Sequence, residues 1–100
     1  MSAPAGKQRR YLRAAAHALK PIVQIGKAGA SAAVLAQIDQ ALADHELIKV
    51  QFGAERAEKE ALADQLGREL GTLCAGIIGH VLILYRQQAD PEKRRYQLPA

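Results

Sequence analysis

The run Pro21-Ile22-Val23-Gln24-Ile25-Gly26-Lys27-Ala28-Gly29-Ala30-Ser31 decides how the rest of the chain is read. Its first five residues are short, rich in β-branched side chains and bounded by proline and glycine, which predicts a strand. Gly26-Lys27-Ala28-Gly29 then reads as a loop. Ser31 reads as the residue that opens a helix, because its hydroxyl can accept from a free backbone N–H two or three positions on.

Working upstream, Leu12, Ala15, Ala16 and Leu19 recur at three- and four-residue steps and predict a helix over Lys7–Leu19. Pro21 bars Lys20 from helical angles and should end it. Downstream, Val34, Leu35, Ile38, Ala41 and Leu42 share one face of the helix begun by Ser31. Leu47–Phe52 alternates: Ile48, Val50 and Phe52 point one way, Lys49 and Gln51 the other. A third helix over Glu55–Leu70 carries Leu62, Leu66 and Leu70, with Gly71 as its stop. A strand over Thr72–Ile78, a turn at Gly79-His80 and an almost wholly apolar strand over Val81–Arg86 form a hairpin. Arg95–Leu98 could add a short edge strand.

The order α-β-α-β-α-β-β predicts an α/β fold of α+β-like, two-layer form, with helices packed on one four-stranded mixed sheet. The apolar fourth strand should be central and buried on both faces. A chain of 100 residues holds one core, so residues 1–100 are expected to form a single domain. A loose tail occupies 1–6 and a polar, basic segment 87–100.

Composition narrows the function. About half the residues (49%) are hydrophobic, as a globular chain requires, yet no apolar run approaches the roughly 18 residues of a membrane helix. Residues 1–6 lack a charged segment followed by an apolar one, so no signal peptide is expected. Cys74 is the sole cysteine, which excludes a disulfide framework and fits a reducing, cytoplasmic setting. His17, His45 and His80 show no metal-ligand spacing with each other or with Cys74. No nucleophile elbow, long phosphate loop or dinucleotide fingerprint is present. The expectation is therefore a non-enzyme without metal, cofactor or small-molecule substrate, acting as a monomer away from membranes.

Charge is segregated. Residues 1–30 carry Lys7, Arg9, Arg10, Arg13, Lys20 and Lys27 and no acid, whereas residues 31–70 hold eight acids against four bases. Such segregation gives a positive face, the footprint of a polyanion binder. The glycine loop sits between a strand and a helix N-terminus, whose free N–H groups and partial positive charge attract anions. Gly26 and Gly29 let the backbone approach a ligand closely, and Lys27 between them supplies a full charge. KH domains use a GxxG loop in this way to clamp a nucleic-acid backbone. Taken alone, the tetrapeptide is also compatible with a plain strand-to-helix turn. Arg86 and Lys93-Arg94-Arg95 can extend the basic patch, the latter three alternatively forming a solvated tail, and Tyr11 and Tyr85 are either stacking or packing groups. No base-reading side chain can be named.

Leu19–Gly29, Val34–Leu42, His45–Val50, Ile78–His80 and Leu82–Arg86, in that order, resemble the CRM domain in its stand-alone bacterial form, the YhbY type. The resemblance covers roughly residues 7–90. It implies a fold similar to the C-terminal domain of bacterial translation initiation factor three. It further implies RNA binding through Gly26, Lys27, Ala28 and Gly29, with Lys20 and Lys49 at matching basic positions. The implied partner is ribosomal RNA in a precursor of the large subunit. Two residues depart from the family pattern: Ala30 stands where a bulkier apolar residue is common, and His80 where a lysine is common. From residues and resemblance together, the expected RNA surface is Gly26–Gly29 with Arg9, Arg10, Arg13, Lys20, Lys49 and Arg86. The alternatives are a module that docks on a ribosomal protein without touching RNA, and a DNA-binding domain, disfavoured because no helix-turn-helix is evident.

Overall fold

The computed structural model describes residues 6–26, 29, 31–53 and 56–98. The elements run α1 (Gly6–Ala16), β1 (Pro21–Ile25), α2 (Ala32–His45), β2 (Leu47–Phe52), α3 (Arg56–Leu70), β3 (Leu73–Ile78) and β4 (Val81–Tyr85), followed by a 3-10 turn at Pro91–Lys93. The α/β class, the element order and the four-stranded mixed sheet are those the periodicities predict. Strand order is β1-β2-β4-β3. β1 and β2 are parallel, and β4 pairs antiparallel with both β2 and β3. The most apolar strand, β4, is thus interior, as expected.

The layering differs from the expectation. Helices cover both faces of the sheet, giving three layers instead of two. On one face Ile38, Ala41 and Leu42 of α2 and Leu66 of α3 pack against Val23, Ile25, Ile48, Val50, Phe52, Leu82 and Leu84. On the other, Leu12 and Ala16 of α1 meet Leu47, Ala75, Ile83 and Tyr85. Three layers fit in so short a chain because the outer one is thin: an alanine-rich helix of 11 residues plus Tyr96 and Leu98 of the C-terminal segment. Each fully buried leucine or isoleucine contributes about 1.5–3 kcal/mol of transfer free energy, so both faces hold the sheet.

Boundaries shift where backbone bonds decide them. α1 stops at Ala16, three residues before the predicted end, and Leu19 closes a turn by donating to Ala16 O (2.9 Å). Ser31 caps α2 as expected, accepting from Val34 N at 3.3 Å. Gly71, at φ 65°, ends α3 in the left-handed conformation. Residues 95–98 add no strand. Instead the buried Glu46 holds this segment: its carboxylate accepts from Gln88 N at 2.8 Å and from Arg95 N.

Candidate nucleic-acid interface

The glycine loop continues β1 at the sheet end shared by the C-terminus of β2 and the β3–β4 turn. Gly29 N donates to Gly26 O (3.0 Å), closing a four-residue turn, and Ser31 N donates to Gly29 O (2.9 Å), leading into α2. Lys27, Ala28 and Ala30 lie outside the described residues.

The two glycines differ in what they do. Gly29 sits at φ 72°, a region costly for any residue with a Cβ. Gly26 has no such angle, and among the described residues a Cβ there would meet nothing within 4 Å. The turn therefore needs Gly29, whereas glycine at 26 leaves the surface bare. Accordingly, Gly29→Ala is expected to lower stability by about 1–2 kcal/mol. Gly26→Ala should leave it unchanged or raise it by about 0.5 kcal/mol. Urea denaturation of the two variants checks the contrast.

The bases fall into distinct settings. Arg9 and Arg10 stand exposed on α1. Arg13 is also exposed, but its guanidinium donates to Ala75 O (3.2 Å) and its stem lies over Gly76, where a Cβ would come within 2.9 Å of Arg13 Cδ. It thus seals the bulge in β3 as well as carrying charge. Lys49 is half-buried on the α1 side of the sheet, opposite Ile83 of β4. Lys20 is exposed just before β1, at the strand end opposite the loop.

Arg86 does not join these bases. It pairs with Asp39 of α2 (2.7 Å) and donates to the backbone oxygens of Leu70 and Asp39 (3.0 Å each). Its charge is committed to fastening β4 to α2 and α3. Of the C-terminal bases, Arg94 donates to Gln88 O (2.8 Å), which folds the segment on itself. Tyr85 is buried, and burial followed by the nearby Glu46 carboxylate pushes its phenol up, so it is a packing residue. Cys74 is half-buried, packs against the α2–α3 core and has its thiol pushed up by burial. Among the described residues no group of three or more His, Cys, Asp and Glu side chains could hold a metal, and no helix is long and apolar enough to cross a membrane.

Sequence reasoning missed the pairing of Gln24 with Gln51. The two are cross-strand partners, and both are exposed on the α1 side of the sheet. Alternation alone put Gln51 with Lys49, but only the β1–β2 register puts Gln24 beside them.

A model of the CRS1/YhbY (CRM) domain family matches residues 5–86. The chain is similar to an RNA-binding protein of Haemophilus influenzae, 42% identical over 94 residues that cover 93% of this chain and 92% of that one. It is similar to the "Probable RNA-binding protein YqeI" of Bacillus subtilis, 37% identical over 95 residues, 94% and 97% of the two chains. The solution structure of the hypothetical protein SAV1595 from Staphylococcus aureus superposes with a TM-score of 0.81 at 36% identity, covering 95% of this chain and 98% of that one.

Proposed function

The chain belongs to the CRS1/YhbY (CRM) domain family, and from that premise we propose that it is an RNA-binding protein that acts by binding, without chemistry. Its ligand is ribosomal RNA of the large subunit, met in the cytoplasm on a precursor particle during assembly. The names of two relatives support RNA as the ligand. Resemblance to the stand-alone bacterial members supports the ribosomal assignment.

One observation carries the site: Gly26 has no left-handed φ, and among the described residues nothing lies within 4 Å of where a Cβ would stand, so glycine there leaves the approach to α2 open. A phosphate there meets backbone N–H groups, the positive end of α2 and the charge of Lys27. Arg9 and Arg10 on α1 and Lys49 on the sheet extend the positive surface. Arg13 adds charge but also holds β3, and Arg86 stays with Asp39.

The test is affinity for large-subunit ribosomal RNA fragments at rising salt. Each phosphate contact releases counterions, giving a log–log slope of about −0.7 per contact for a single strand. Replacing Arg9 and Arg10 together with alanine should flatten the slope by about 1.4 on that scale while leaving the melting temperature in place. A flat response in the parent protein would sink the proposal. So would a native complex with ribosomal protein that survives nuclease, since docking would then need no RNA.

A further inference from the structure

Gln24 and Gln51 are cross-strand partners on the neighbouring parallel strands β1 and β2. Both are exposed, and among the described residues neither has a hydrogen-bond partner for its side chain. With Ile25, Phe52, Gly53 and His80 they line a shallow cleft of about 460 Å³. The cleft opens directly beside the glycine loop, because Ile25 runs straight into Gly26.

We propose that this cleft is a subsite for one unpaired nucleobase, read by the Gln24–Gln51 pair while the backbone of the same RNA strand lies on the glycine loop. The proposal rests on the RNA-binding reading above. A carboxamide offers an acceptor and a donor side by side, the complement of a base edge that does the same. Two adjacent carboxamides meet such an edge with four groups, and each amide can turn to suit the base. Ile25 and Phe52 also line the cleft, with their side chains buried in the core on the other face of the sheet. The His80 ring, set edge-on to Phe52 with centroids 6.3 Å apart, stands exposed at the rim. Imidazole is among the flat groups on which splayed-out bases stack.

Charge selects a nucleic acid over a neutral ligand. Lys49 shares the face with Gln51, two residues along β2 and so about 7 Å away. No ion pair among the described residues engages it. A phosphate flanking the base can therefore pair with Lys49 while the next one reaches the loop. Duplex RNA does not fit this arrangement, because its bases are paired and stacked and cannot be splayed out into a cleft. The cleft thus favours single strands, loops and bulges.

The test separates the base from the backbone. Binding of the full chain is measured, at one salt concentration, to a six-nucleotide RNA of mixed sequence and to an abasic ribose-phosphate hexamer of equal charge. The parent protein should prefer the base-bearing strand by about tenfold or more, the size expected of one good bidentate contact. Replacing Gln24 and Gln51 together with alanine should shrink that preference to under about threefold and leave the abasic affinity in place. Gln51→Glu, which keeps the size but turns the donor into a negative acceptor, should weaken both ligands. An undiminished preference in the double alanine variant overturns the base subsite while leaving the loop as backbone grip. Failure of the folded parent protein to bind either strand overturns the subsite and the RNA-binding reading together. Both glutamines are exposed, so circular dichroism should show each variant folded.

Discussion

Replacing Glu46 with alanine is expected to lower the stability of the fold by about 3 kcal/mol, since each hydrogen bond to a charged group contributes about 1.5–3 kcal/mol. Glu46 is 1% exposed and stands at φ 64°, where its N–H donates to Leu42 O and its own oxygen accepts from Arg86 N, both at 2.9 Å. Its carboxylate accepts from the backbone N–H groups of Gln88 and Arg95. Alanine removes both acceptors and keeps the unfavourable angle. The segment carrying Tyr96 and Leu98 should then lift from the α1 side of the core. In a domain of this size a loss of 3 kcal/mol corresponds to a fall of about 12–24 °C in melting temperature. Glu46→Gln, which retains one acceptor oxygen, should lose roughly half as much. Thermal melts of the three proteins decide the matter, and a loss under about 1 kcal/mol would mean that Tyr96, Leu98 and the bond from Gln88 Nε2 to Ala43 O anchor the segment without the carboxylate.

The largest effect on binding is expected from Gly26→Asp. Among the described residues the space at position 26 is open, and its backbone is not left-handed, so the variant should fold and melt like the parent. It nevertheless places a carboxylate where the proposed phosphate lies. Reversing a charge-assisted contact of about 1.5–3 kcal/mol corresponds to roughly a 10- to 100-fold loss of RNA affinity. Gly26→Ala, which adds bulk without charge, should lose less. Anisotropy titrations at fixed salt measure the series. Parent-like affinity in Gly26→Asp would move the backbone grip away from the loop.

Local chemistry was legible in the chain; long-range placement was not. Val34, Leu35, Ile38 and Leu42 declare a helix by spacing, Ile48, Val50 and Phe52 a strand, and Ser31 a cap. The stripe Leu12-Ala15-Ala16-Leu19 says that α1 has an apolar face, but not which face of the sheet receives it. That choice produces the third layer. Arg86 looked like one more base near the end of an apolar strand, since nothing local reveals Asp39, 47 residues earlier, as its partner. Glu46 reads as an ordinary acid between a helix and a strand until the chain returns 42 residues later to bring it Gln88 N. The candidate site divides in the same way: the glycine loop is visible as a contiguous motif, whereas Gln24 and Gln51 become one feature only through strand pairing.

The strand order also bears on the sequence of events in folding. β3 and β4 are joined by a tight turn and β4 then finds β2, whereas β1 lies on the perimeter and is bonded to β2 alone. Its register shifts between Pro21 and Val23, which loosens the pairing further. Local hairpins form early because little chain entropy is lost in closing them, and a parallel strand reached through a helix comes later. β1 should therefore be the last strand to dock and the first to open in native-state fluctuations. The glycine loop hangs from that strand. RNA laid across Gln24 and Gln51 would bridge β1 to its neighbour and act as a staple, so the ligand completes the least secured edge of the protein that holds it.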